Sequence, residues 1–170
     1  MPVQKGPAVI APLKSGQIDA WSIVPNIANA LARGPDVVEI GKVADYIPGY
    51  QVTAVFTSAK NVYENRDLVE RYLAALSKGI ADYNAAMVDR TMGEEDTAAI
   101  IEMIHEYVYA DQPLEKADPR IRAFAMRINP GAALNLSSVE DQLNWFKSEG
   151  LVPDGVTIDD LVDTSFVQTN

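Results

Sequence analysis

The feature that most constrains the fold of this 170-residue chain is a change of hydrophobic period near Ser58. Before it, short apolar runs rich in β-branched and aromatic residues, bounded by Gly and Pro, predict strands. After it, apolar residues recur about every 3.6 positions, which predicts amphipathic helices. The sequence therefore predicts an α/β region over residues 1–57 and a mainly helical region over residues 58–170.

The early region is expected to contain a mixed sheet of about three to five strands, because strand-like runs there lie close together in sequence. These strands are predicted at residues 18–24, 36–43 and 51–57. Gly16 is expected to end a short helix over 7–15 in the left-handed conformation, and Pro25 to open the next helix. In open α/β sheets, ligands bind where a strand end faces a helix start.

The later region is predicted to consist of helices over 66–88, 91–109, 119–127 and 139–149, followed by a short helical turn within 157–163. Capping boxes are expected at three helix starts, where a Ser, Thr or Asn is followed three residues later by Glu. These pairs are Asn61 with Glu64, Thr91 with Glu94, and Ser137 with Glu140.

The candidate ligand site lies at the junction between the strand 18–24 and the helix that follows it. Trp21 can supply a flat apolar wall, Ser22 a hydroxyl and Asn26 an amide. The helix opened by Pro25 is expected to add free backbone N–H groups, which suit a small polar or anionic ligand. A tryptophan in a strand is also common in a plain hydrophobic core, and that interpretation stays open.

Charge and composition exclude several other classes of function. The formal net charge of −10 argues against a nucleic acid or an anionic membrane as partner, because both would be repelled. Without Cys there is no disulfide, thiol nucleophile or Cys-based metal site, and no metal or cofactor is expected. The only histidine, His105, lies on a predicted helix between apolar residues and is interpreted as a helix-surface or packing residue, not a catalytic one.

The chain resembles a known family at three segments that occur in the family's order. They are Lys-Ser-Gly-Gln-Ile-Asp-Ala-Trp-Ser at 14–22, the run 141–153 and the ending 156–166. These are similar to the periplasmic substrate-binding proteins of ABC importers for nitrate, aliphatic sulfonates, taurine and thiamine pyrimidine precursors. The resemblance implies a periplasmic-binding-protein-like α/β fold with two lobes (type II), of which this chain corresponds to the carboxyl-terminal half.

On this resemblance the protein is expected to capture a small organic or anionic solute for an ABC transporter permease, outside the cytoplasm and without catalysis. The family's ligand lies between two lobes, and residues 1–57 would belong to the ligand-binding lobe while 58–170 return to pack on the other. Relatives often carry an acidic residue before the proline, to meet a ligand amino group. Here that residue is Val24, which disfavours taurine-like ligands.

Two alternatives share the implied fold. One is an enzyme similar to the thiamine pyrimidine precursor synthases, which would need reactive histidine and iron-binding residues. The other is an effector-binding domain of a transcription regulator, which would need a basic helix-turn-helix. The chain as written has no signal peptide, although a family member would carry one. The predicted strand 18–24 and the helix 66–88 carry apolar side chains on more than one face, and a missing lobe would normally bury them. Self-association through this exposed apolar surface is therefore also expected.

Overall fold

In the computed structural model of the chain, the described residues are 7–166, with the side chains of Pro7 and Asn26 excepted. The chain divides into two compact units, Met1–Pro48 (unit 1) and Gly49–Asn170 (unit 2).

Unit 1 contains helices α1 (Pro7–Lys14), α2 (Pro25–Leu31) and α3 (Val43–Tyr46). The first two confirm the sequence prediction: Gly16 follows α1 with φ +70°, and Pro25 occupies the first turn of α2, where its missing N–H costs nothing. Val9 of α1 is the buried apolar residue of this unit. Lys14 and Asp36 form an exposed ion pair at 3.9 Å, which contributes little stability because water screens it.

The three predicted strands are not formed. Residues 18–24, 36–42 and 50–57 are irregular in the structure, and residue 43 begins a helix instead. A strand needs a neighbouring backbone segment to pair with its N–H and C=O groups, and among the described residues no such ladder forms; the backbone of Gln51 is bonded only to the side chains of Ser138 and Gln142. Their apolar side chains lie in solvent, as Ile40 does with 82% of its surface exposed. The predicted sheet, and with it the α/β class, is therefore not confirmed within residues 7–166.

Unit 2 is helical. Its α-helices are α4 (Ala59–Glu64), α5 (Arg66–Tyr83), α6 (Glu94–Val108), α7 (Leu114–Ala123), α8 (Leu136–Ser148) and α9 (Ile158–Leu161). A single turn of π-helix, Asn84–Asp89 (the π-turn), continues α5, and a short 3₁₀ turn covers Pro130–Ala132. From Ala59 to Leu161 these helices are joined by short irregular segments.

The hydrophobic core of unit 2 lies where the π-turn, α6 and α7 meet. Ile101 and Ala117 are almost completely buried, and Met87 and Ile121 pack with them. Because Ala117 and Ile121 are one helical turn apart, both face this core. That burial explains why α7 begins at Leu114 and continues through Pro119, whereas the sequence predicted a helix starting near that proline.

The predicted capping boxes are wrong at all three positions. Ser58 caps α4, accepting a hydrogen bond from the Asn61 N–H at 3.3 Å, and Gly93 begins α6 without a side-chain cap. Asn135 caps α8 through the Ser138 N–H at 3.2 Å. A Ser, Thr or Asn followed by Glu three residues later can occur at positions that are not helix starts. The spacing alone therefore does not identify the residue at which packing lets the helix begin.

A capping box does form at α9, where the sequence predicted a helical turn. The Thr157 N–H and hydroxyl both donate to the Asp160 carboxylate, at 2.7 and 2.8 Å. Because these bonds, the backbone one above all, stabilise the ionised form, they lower the pKa of Asp160 below its ordinary value.

The start of unit 2 is held against α8 by a group of hydrogen bonds that we call the Gln51 clasp. The Gln51 N–H donates to the Ser138 hydroxyl (2.9 Å), and its side-chain oxygen accepts from the Asn135 N–H (2.9 Å). The Asn135 amide also donates to the Gly49 carbonyl at 2.6 Å. Gly49 has φ +73°, and a Cβ there would lie 2.8 Å from the Asn135 amide nitrogen, so the turn requires glycine.

Candidate functional site

The four residues predicted to bind a ligand lie along one short stretch of unit 1. Trp21 is half-buried, Ser22 is exposed, and Pro25 is an exposed residue in the first turn of α2. The side chain of Asn26 lies outside the described part of the chain. The predicted strand that would carry Trp21 and Ser22 is absent, so these two side chains are presented by irregular backbone.

The start of α2 offers fewer free donors than the sequence predicted. The N–H groups of Ile27 and Ala28 both bond to the Val24 carbonyl, at 3.1 and 3.2 Å, and Pro25 has no N–H. Val24 precedes the helix with φ −57° and ψ 144° and provides no side-chain cap. An anion at this position would therefore depend on side chains such as Ser22 more than on the helix start.

A concave region lies within unit 2, between the π-turn, the start of α6 and α7. Its volume is about 270 Å³. We call it the arginine cleft; its lining residues are Ala86, Met87, Arg90, Met92, Glu94, Thr97 and Arg122. The sequence did not predict it, because these residues come from the π-turn, the loop that follows it, α6 and α7, and form no motif.

The π-turn gives the arginine cleft one of its walls. The extra residue in a π-helical turn widens the helix, and such turns occur often at functional sites. It ends at Arg90, which adopts the left-handed conformation with φ 54°. The buried amide of Asn84 holds the turn in place: it donates to the Ile128 carbonyl (2.8 Å) and accepts from the Ile128 N–H (3.1 Å).

Arg122 forms ion pairs with two carboxylates in this cleft. Its Nε donates to Asp118 at 2.6 Å and its Nη2 to Glu94 at 2.8 Å. The hydrogen bond to Asp118 is the main reason why the pKa of Arg122 is raised, with the bond to Glu94 adding to it and partial desolvation opposing both. The positive charge of Arg122 is thus balanced by two carboxylates.

His105 has a structural role. Its Nε2 lies 2.7 Å from the Gln112 carbonyl oxygen, and since a carbonyl can only accept, Nε2 carries the proton. Arg120 donates to the Gln112 side chain at 2.7 Å, so the loop between α6 and α7 is fixed from two sides. This agrees with the interpretation of His105 as a helix-surface or packing residue.

Searches for other kinds of site within the described residues give negative findings. No group of three His, Asp or Glu side chains there is placed to hold a metal ion. No helix among residues 7–166 combines the length and the apolar character needed to cross a membrane.

Comparison with known proteins gives one match. Residues 2–86 match the protein family described as NMT1/THI5 like. No curated protein and no solved structure matches the chain. The matched range contains the whole of the predicted ligand site at 21–26 and extends into the π-turn. Since the match covers half of the chain, the protein belongs to the NMT1/THI5-like family, which comprises binding proteins for nitrate, sulfonates, taurine and thiamine precursors.

Proposed function

We propose that the protein is a solute-binding component of an ABC importer, which captures a small organic or anionic solute outside the cytoplasm and delivers it to a transporter permease. The observation that carries this proposal is the family match over residues 2–86, which includes Trp21, Ser22 and Pro25. Family membership supports solute binding in the broad sense. We further propose that this binding serves an ABC importer, takes place outside the cytoplasm and ends with transfer of the solute to the permease.

Binding without catalysis is favoured because the chain contains few side chains of the types that catalysis requires. Its single histidine uses Nε2 for the Gln112 carbonyl, and the sequence contains no Cys. A precursor synthase would need reactive histidine and iron ligands, which makes the enzyme the weaker candidate. A transcription regulator would need a basic DNA-reading helix, and the net charge of −10 disfavours it.

The ligand is proposed to be a sulfonate, nitrate or a pyrimidine precursor, without a positively charged ammonium group. Val24 occupies the position immediately before Pro25, so no carboxylate stands there to pair with an ammonium group. The half-buried indole of Trp21 favours a ligand with a flat or apolar part, and the exposed Ser22 hydroxyl can donate to an anionic oxygen.

The test uses the fluorescence of Trp21, in a Trp145→Phe background that removes the only other tryptophan. Ethanesulfonate, nitrate and hydroxymethylpyrimidine are titrated separately, with taurine as the comparison that bears an ammonium group. We expect saturable quenching by one of the first three and a weaker response to taurine. Ser22→Ala should weaken binding about three- to tenfold, the usual loss for one hydrogen bond.

Ser15→Ala is the matched control, because Ser15 is an exposed serine of the same unit whose hydroxyl bonds to the Pro12 carbonyl. It should leave the affinity unchanged. Saturable binding that is equally strong in the Ser22→Ala and parent proteins would remove Ser22 from the site. The absence of any saturable response to all four compounds would count against solute capture by this chain.

A further inference from the structure

The arginine cleft of unit 2 has no part in the proposed capture of a solute near Trp21, and its charges are unequally paired. Of its two arginines, Arg122 is balanced by Asp118 and Glu94. Arg90 forms no ion pair or side-chain hydrogen bond among the described residues. The nearby Asp89 is bonded to Arg127 instead. The guanidinium of Arg90 therefore remains available to an anion.

A second polar group in the cleft is also without a partner. Thr97 lines the cleft and is only 4% exposed, yet its hydroxyl makes no hydrogen bond within residues 7–166. A buried hydroxyl without a partner costs free energy, and such groups in native structures are exceptions that call for an explanation. A ligand atom that hydrogen-bonds to this hydroxyl would remove that cost.

The remainder of the cleft is apolar. Ala86 and Met87 are buried and belong to the core, and Met92 is half-buried. Methionine side chains are flexible and polarizable, so they adapt to aliphatic ligands of different shape. The volume of about 270 Å³ lies near the lower end of the range for small-molecule sites.

From these groups we propose that the arginine cleft binds a small aliphatic monocarboxylate, whose carboxylate meets Arg90 and Thr97 and whose hydrocarbon chain lies against Met87 and Met92. The single negative charge of a monocarboxylate is balanced by the single positive charge of Arg90. A phosphate or sulfate dianion would bring a second negative charge close to Glu94 and Asp118, without a second free cation to offset it. The hydrocarbon chain gains by leaving water for the apolar wall.

The experiment follows methyl signals of the protein labelled with carbon-13 at methionine, while sodium hexanoate is added. The chain has five methionines, which include Met87 and Met92 in the cleft and the exposed Met103 and Met126 outside it. We expect the Met87 and Met92 signals to shift in a saturable manner, with a dissociation constant on the order of 1 mM. Met103 and Met126 should not move. Hexanamide, which lacks the charge, and inorganic phosphate should give no saturable shift.

Two variants test the two polar contacts separately. Arg90→Gln should weaken hexanoate binding at least about tenfold, because it removes a charge-assisted hydrogen bond. Thr97→Val keeps the shape of the side chain, removes the hydroxyl and should weaken binding about threefold or more. Arg33→Gln, at an exposed arginine of unit 1, is the charge-matched control and should bind as the parent does.

Three results would overturn the proposal. The first is an absence of saturable shifts at Met87 and Met92 with hexanoate, and the second is an equal response at Met103, which would indicate non-specific partition. The third is unchanged affinity in folded Thr97→Val and Arg90→Gln proteins, as judged by circular dichroism. Because the readout at Met87 and Met92 is independent of Trp21 fluorescence, failure here leaves the proposed solute capture unaffected.

Discussion

At the scale of single residues, two buried polar side chains of unit 2 differ in how their hydrogen-bonding groups are satisfied. Asn84 is 5% exposed and pairs both ends of its amide with the backbone of Ile128, much as a neighbouring strand would. Thr97 is equally buried, but its hydroxyl has no partner in the described part of the chain. The first residue stabilises the fold, whereas the second carries a cost that a ligand would relieve.

We predict that Thr97→Val stabilises the free protein, although it weakens hexanoate binding. Replacing an unpaired buried hydroxyl by a methyl group removes a desolvation cost and should raise the free energy of unfolding by about 1 kcal/mol. Urea unfolding followed by circular dichroism measures the change. Thr91→Val, at an exposed position, is the control and should change the stability by less than about 0.5 kcal/mol. A less stable Thr97→Val protein would show that the hydroxyl is satisfied after all.

At the scale of elements, hydrogen bonds from side chains determine where the irregular segments of unit 2 lie. Asn135 caps α8 and at the same time holds Gly49 and Gln51, while Gln142 donates to the Gln51 carbonyl at 3.1 Å. A segment that was predicted to be a strand is thus attached at its beginning to a helix. The remainder of that segment, as far as Thr57, is exposed.

We predict that Asn135→Ala loosens the Gln51 clasp and destabilises the protein. Loss of the helix cap alone costs about 1 kcal/mol, and loss of the bond to Gly49 adds to it. The Gln51 amide should also exchange its hydrogen faster, which NMR-detected hydrogen exchange measures. The matched control is Asn65→Ala, because Asn65 precedes α5 without capping it through its side chain. Equal losses of stability in the two variants would contradict a special role for Asn135.

At the scale of the whole molecule, the chain exposes many large apolar side chains. In unit 1, Val38 and Ile40 are mostly exposed, and in unit 2 Phe56 is 93% and Tyr63 84% exposed. Soluble monomers seldom expose large contiguous apolar patches, since each 100 Å² in water forgoes roughly 2.5 kcal/mol of burial. The segments that carry Ile40 and Phe56 are two of the three that were predicted to be strands.

We predict that the purified chain associates with itself through these exposed apolar side chains. Sedimentation should show species larger than the monomer, and a dye that reports exposed apolar surface should bind. Phe56→Asp should reduce both signals, because a charge on the exposed face opposes its burial between chains. The control is Lys60→Asp, at an exposed position on α4 that is already polar. A compact monomer that binds no dye would refute self-association.

The sequence by itself determined most of the helices, because their 3.6-residue period and local signals such as Gly16 and Pro25 act over a few neighbouring residues. It also determined the family, whose match contains the segment around Trp21.

Only the tertiary structure decided the rest. The predicted strands did not form because a strand depends on a neighbouring backbone segment, and none of the described residues forms such a ladder with them. The arginine cleft was not predicted because Arg90, Thr97 and Arg122 meet only through the packing of the π-turn, α6 and α7, which no local pattern encodes.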